Sequence, residues 1–143
     1  MNLEVKAGSM EWSIPIERRI TILRGFSGEG KSDMVYNIAN RSQIVKVDFP
    51  LECKVATETT WKDLLKSSTN SLIIFDDLEE VSSNEFAKLI KEYKDNYNYY
   101  LLITREFVGL DVESELSIAV SSILRFKVDE TGLKHYTEKY SEF

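Results

Sequence analysis

The chain has 143 residues with a formal net charge of −6, 43% hydrophobic and 29% charged residues, which suits one soluble globular domain with no room for a second core. The acidic balance argues against a surface that holds nucleic acid by broad phosphate neutralisation. No apolar run approaches the roughly 18 residues of a membrane span, the N-terminal stretch lacks the apolar segment of a secretory signal, and Cys53 is alone, so neither an internal disulfide nor a cysteine zinc cluster is available. A cytoplasmic location with no membrane partner and no extensive nucleic-acid surface is therefore expected.

In chain order, residues 1–17 read as a β-hairpin. Leu3 and Val5 alternate with Glu4 and Lys6, AGS makes a turn, and Met10, Trp12, Ile14 and Ile16 share one face opposite Glu11, Ser13 and Glu17. Pro15 suits an edge position, which predicts a hairpin at the side of the main sheet or on top of it. The segment RRITILRG then reads as the first core strand, ending at Gly25.

Residues 25–32, GFSGEGKS, follow directly and match GxxxxGK followed by Ser or Thr, a phosphate-binding pattern. Ordinary residue usage yields such a match by chance in about half a percent of chains this long. Gly25, Gly28 and Gly30 permit positive φ, and their missing side chains let consecutive amides turn inward on one anion. Met34, Val35 and Ile38 recur at helical spacing and predict a helix over 31–41, whose N-terminus would face the phosphates. Lys31 adds a full charge near the β and γ phosphates, and the Ser32 hydroxyl suits Mg²⁺.

Beyond this helix, QIVKVDF (43–49) reads as the second core strand. Thr60 and Asp63 have capping-box spacing before a short helix buried through Trp61, Leu64 and Leu65. SLIIFDD follows, with four apolar residues from Leu72 to Phe75 and no polar alternation. It reads as a central strand covered on both faces and ending in two carboxylates. Ser82 and Glu85 are expected to cap the next helix, with Phe86, Leu89, Ile90 and Tyr93 at i, i+3, i+4 and i+7. YYLLITR reads as a buried strand ending at Thr104, DVESELSIA (111–119) as a helix, SILRFKV (122–128) as a fifth strand, and DETG (129–132) as the turn into LKHYTEKY. Strands alternating with helices predict parallel pairing through crossover helices. The organisation expected is one domain over 1–143, with an alternating core at 19–128 and a terminal strand at 129–143.

Across residues 19 to about 128 the chain resembles a P-loop NTPase, of the branch with one extra strand between the phosphate-loop strand and the Walker B strand. GFSGEGKS matches Walker A completely and LIIFDD resembles Walker B. The resemblance implies a three-layer α/β fold with a mostly parallel five-stranded core ordered 2-3-4-1-5, flanked by N- and C-terminal hairpins. It implies that Gly25, Phe26, Ser27, Gly28, Glu29, Gly30, Lys31, Ser32 and Asp33 meet a nucleoside triphosphate, and that Ser32 and Asp76 hold Mg²⁺, Asp76 through a water. Lys31, Asp77 and Thr104 would be the catalytic set. Asp77 stands where this branch usually has the water-polarising glutamate, and a carboxylate shorter by one bond can cost about a hundredfold in rate. Glu79 or Glu80 could supply the missing carboxylate. Thr104 resembles the polar sensor of the γ-phosphate, although threonine is common in any strand. Arg105 is either a surface arginine or a group completing a partner subunit's site.

No NKxD or LSGGQ occurs, so ATP is favoured over GTP and the ABC signature is missing, although the hairpin is reminiscent of the N-terminal strands of ABC ATPases. Trp12 would then stack on adenine, whereas its period-2 neighbours favour a packing role. The functions that remain are an ATPase, slow or stimulated by a homo-oligomeric neighbour or other protein, and a nucleotide-dependent interaction module that hydrolyses negligibly. Phosphoryl transfer to a small molecule is a third option, weakened by connections too short for an arginine-rich lid.

Overall fold

The computed structural model describes residues 1–8, 10–24, 31–104, 121–128 and 133–140. Arg24, Lys31, Ser32, Ser82, Thr104 and the last two of these segments are described by their backbone. The elements are β1 (Asn2–Ala7), β2 (Met10–Pro15), β3 (Ile20–Arg24), α1 (Lys31–Ala39), β4 (Val45–Asp48), β5 (Glu52–Ala56), α2 (Trp61–Ser67), β6 (Ser71–Asp76), α3 (Asn84–Glu92), β7 (Tyr99–Thr104), β8 (Ser121–Val128) and β9 (Leu133–Tyr140). Short 3₁₀ turns lie at Glu79–Ser82 and Lys94–Asn96. The helix expected over 111–119 and the turn over 129–132 fall outside the described residues.

The fold is mixed α/β, with parallel and antiparallel sections in one nine-stranded sheet ordered β4-β1-β2-β9-β8-β3-β7-β6-β5. Neighbours run parallel from β5 through β6 and β7 to β3, and β8 pairs parallel on the other side of β3. β8 and β9 are antiparallel, as are β1 with β2 and β1 with β4.

Residues 43–49 are not the second core strand. Val45–Asp48 instead pairs antiparallel with β1 at one end of the sheet, and Glu52–Ala56 is the strand beside β6. The alternation of Val45 and Val47 with Lys46 and Asp48 suits an edge, where one face stays wet. β5 has only Ala56 fully buried, so its charged and threonine-flanked sequence reads as a loop. The hairpin lies to the side of the parallel section but is not outermost, because β4 pairs with β1 and β9 pairs parallel with β2. Pro15 is tolerated there because that pairing runs only over Glu11, Trp12 and Ser13, so its missing N–H lies beyond the shared ladder.

β4 and β5 end opposite sides of the sheet order yet are joined by residues 49–51 alone. Four Cα steps reach at most about 15 Å, whereas the edges of a flat nine-stranded sheet would stand about 38 Å apart. The sheet therefore curls round α1, which touches β1, β4, β5 and β6. Met34, Val35 and Ile38 of α1 share a core with Leu3, Val5, Trp12, Ile14 and Ile16 and with Leu23, Leu72, Ile74, Leu101 and Ile103. A second core, on the other face of the parallel strands, joins Ile20, Ile22, Ile73, Phe75, Tyr100 and Leu102 to Trp61 and Leu65 of α2 and Phe86, Ala87 and Ile90 of α3. The strict alternation of β6 and β7 residues between the two cores is the period-2 pleat of a strand buried on both faces.

Both expected capping pairs shift. Thr57 and Thr60 exchange reciprocal bonds, Thr60 N to Thr57 Oγ1 at 3.2 Å and Thr57 N to Thr60 Oγ1 at 3.0 Å, so the box opens three residues before the one expected at Thr60. Ser83, not Ser82, caps α3 through the Phe86 amide at 3.1 Å. The reason is local: the turn 79–82 uses Ser82 as its last residue, leaving the next serine at the helix boundary. α1 ends at Ala39 and not at Arg41, and the Arg41 Nε donates to the Ile38 carbonyl at 3.2 Å beyond its last turn.

At the amino-terminal end of the parallel strands, buried Asn98 donates to the Ser68 carbonyl at 2.8 Å and accepts from the Ser71 amide at 3.0 Å, pinning the start of β7 to that of β6. Thr21 is fully buried in β3, and its hydroxyl has no hydrogen-bond partner among the described residues. A buried hydroxyl left unpaired costs about 1–3 kcal/mol. Thr21→Val keeps the branched shape that suits a strand, and is expected to stabilise the fold by about 1 kcal/mol, read as a melting-temperature rise of about 2–4 °C. A lower melting temperature would mean that the hydroxyl is bonded.

Candidate functional site

β3 ends at Arg24 and α1 begins at Lys31. Gly25, Phe26, Ser27, Gly28, Glu29 and Gly30 lie between them, outside the described residues, as does Arg105. Lys31 and Ser32 are the first two residues of α1, and Asp33 is exposed in its first turn, its carbonyl accepting from Asn37 Nδ2 at 2.8 Å. An acidic residue there is favoured by the positive end of the helix.

Register brings the expected site residues to one end of the sheet. Arg24 pairs with Thr104, while Asp76 pairs with Ile103, which pairs with Leu23, so the last residues of β6, β7 and β3 lie within one residue of a common row across three adjacent strands. With strands about 4.8 Å apart, Asp76 and Leu23, which share a row through Ile103, are about 10 Å from each other with β7 between them. The carboxyl ends of parallel strands are where ligands bind in α/β sheets.

Asp76 is half-buried and Asp77 exposed. Asp77 has φ of 54°, in the left-handed region that aspartate tolerates better than most residues. Its amide donates to the Ile103 carbonyl at 2.8 Å, so the ladder between β6 and β7 continues for one bond as the chain turns away. Leu78 packs partly into the core and Val81 almost wholly. That three-residue spacing puts both on the core side of the 3₁₀ turn and leaves Glu79 exposed and Glu80 half-buried. The carboxylate Oε2 of Glu80 is buried with no hydrogen-bond partner among the described residues. Sequence reading placed Glu79 and Glu80 together; the only signal that separates them is the apolar pair Leu78 and Val81.

Trp12 is 1% exposed within the α1 core. It packs in the interior and does not offer a face for adenine. Cys53 is also outside the candidate site. Burial, slightly relieved by Arg41 and reinforced by Glu52, raises its pKa from 9.0 to about 11. The unfolded thiol loses its proton first as pH rises past 9, so stability falls between pH 9 and about 11. At pH 8, alkylation by iodoacetamide is expected to run about a hundredfold slower on the folded chain than on the chain in denaturant, because only the thiolate reacts. Equal rates would contradict a shielded thiol.

Among the described residues no helix is long and apolar enough to cross a membrane, and no three His, Cys, Asp or Glu side chains group as a metal site.

No family model matches the chain, and no curated protein does. Among solved structures it is similar to a chain of ribosome-bound archaeal Pelota and ABCE1, with TM-score 0.47 and 12% identity over 99% of this chain and 34% of that one. It thus spans about a third of that chain's length. It is also similar to the N-terminal domain of zonular occludens toxin from Neisseria meningitidis, with TM-score 0.42 and 14% identity over 81% of this chain and 80% of that one.

Proposed function

We propose that the chain binds a Mg-nucleoside triphosphate, ATP in preference to GTP, and hydrolyses it slowly or under stimulation by a protein partner or a second copy. The observation that carries this reading is the joint occurrence of two features. GFSGEGKS spans the connection between a parallel strand and a helix, and Asp76 ends the strand two places away at the same edge of the sheet. In this reading the amides of residues 25–32 cradle the β and γ phosphates, Lys31 balances their charge, and Thr104 meets the terminal phosphate or the water. Ser32 through its hydroxyl and Asp76 through a water would hold Mg²⁺, a hard ion that prefers oxygen donors. When bound, the ion would neutralise charge that develops on the phosphates.

The exposed, left-handed Asp77 favours a second reading, since a short carboxylate on a turning backbone is poorly suited to hold water. In it the protein binds nucleotide without turnover and uses the bound state to order the loops after Asp77 and Thr104. Calorimetry with Mg-ATP and Mg-GTP tests the shared part of both readings. Phosphate release measured over a range of protein concentrations separates them: turnover that rises with concentration supports the ATPase, and tight binding with no turnover at any concentration supports the interaction module.

A further inference from the structure

β4 stands at one end of the sheet order, so one of its sides pairs with β1 and the other meets no strand among the described residues. The pairing it does make is electrostatically poor. Register sets Lys46 opposite Lys6 and Asp48 opposite Glu4. Like charges directly opposite each other on neighbouring strands repel, and both charged pairs of this ladder are of that kind. Lys46 and Asp48 are exposed and form no ion pair among the described residues. Lys6 has Glu11 opposite it on β2, and Glu4 accepts from the Ser13 hydroxyl at 3.4 Å. The unmet charges are therefore those of β4.

A strand added at the open side would relieve both rows if it set an acid against Lys46 and a base against Asp48. β4 is itself such a strand. Run antiparallel to a second β4 about a two-fold axis at Val47, it places Lys46 against Asp48 of the second copy, and Asp48 against the second copy's Lys46. The main chain agrees with that axis. The Val45 amide donates to the Ser42 carbonyl at 3.1 Å, outside the ladder with β1. Groups two residues apart along a strand point the same way, so the Val47 amide and carbonyl face the open edge. Two copies meeting at Val47 then exchange a pair of hydrogen bonds, and the charged residues on either side occupy the pairs in which side chains come closest.

The strand at the other end of the sheet order has no such need. In β5, Glu52 and Lys54 flank Cys53 but pair with each other at 4.0 Å. Lys54 also donates to the Ser68 hydroxyl at 3.1 Å, and the residues opposite on β6 are Ser71 and Ile73.

We infer that the outer side of β4 is a self-association edge, and that the chain forms a two-fold dimer in which two β4 strands pair antiparallel about Val47. The inference does not rest on the nucleotide reading. A contact in which the same strand serves both copies closes at two, so the assembly stops at the dimer.

Sedimentation equilibrium without nucleotide, over a range of protein concentrations, compares the full chain with Lys46→Glu, Asp48→Lys and the double variant. The unaltered chain is expected to show a concentration-dependent equilibrium of monomer and dimer. Each single substitution should weaken dimerisation about tenfold or more, because symmetry turns two opposite-charge pairs into two like-charge pairs. The double variant, with its charges exchanged, should return to within about threefold of the unaltered chain. Thermal melts of the dilute single variants should hold or rise, since each also relieves a like-charge pair with β1, and this separates a lost contact from a lost fold. A chain that stays monomeric at every concentration would overturn the inference and leave the nearby β5 as what shields the edge. Dimers that ignore the single substitutions, are not restored in the double variant, form only with Mg-ATP, or grow into larger assemblies would also overturn it.

Discussion

Lys31→Ala is expected to weaken binding of Mg-ATP by about a hundredfold or more while the fold persists. Losing one partner of a desolvated charge pair costs about 2–5 kcal/mol, and each 1.4 kcal/mol is a factor of about ten in affinity. The substitution has little reason to harm folding. Lys31 is the first residue of α1, where the helix macrodipole disfavours a cation, and alanine is the stronger helix former. Calorimetry with Mg-ATP and a thermal melt on the same preparation separate the two effects. Unchanged affinity would show that the phosphate contact assigned to residues 25–32 is wrong; lost affinity with a collapsed melt would show only that the chain had unfolded.

Phe75→Ala carries the largest expected loss of stability, about 3–5 kcal/mol. Phe75 is 0% exposed on β6. Its ring meets Phe86 edge-on at 5.1 Å and 80°, and Trp61 at 6.5 Å and 65°. The three rings thereby tie the central strand to α2 and α3, and Trp61 and Phe86 are themselves 5.9 Å apart. Truncation would remove the ring at the centre of this cluster, and the surrounding pleat has little freedom to collapse into the space. Against a total stability of about 5–15 kcal/mol, a loss of that size moves the urea midpoint sharply. A shift corresponding to less than about 1 kcal/mol would mean that the core on this face repacks easily, contrary to the interlocked geometry.

Legibility in the sequence tracked burial. The run LIIF was readable without its partners, since four consecutive apolar residues rich in isoleucine and ending in two carboxylates suit a strand covered on both faces, and all four are buried. The same holds for the stripe of α3 and for β3 before the glycine segment. The stretch 43–56 misled because its two short strands are both half-wet. Val45 and Val47 alternate as clearly as those of a core strand, whereas Glu52–Ala56 carries charges at Glu52 and Lys54 and reads as connection. Choosing between them required knowing which pairs with β6, and strand pairing is a long-range fact with no local signature. Within the candidate site, the acidic run after Phe75 was visible as composition only; the left-handed turn at Asp77 and the burial of one oxygen of Glu80 were not.

By itself the sequence determined the alternation of strand and helix, the amphipathic faces and the glycine-rich phosphate pattern, because each depends on residues within a few positions of one another. Tertiary structure alone decided that β4 leaves the parallel section to pair with β1, that β9 inserts beside β2, and that the sheet curls round α1. It also separated Glu80 from its acidic neighbours, since the solvent exposure of a carboxylate depends on what folds over it and not on the residues beside it.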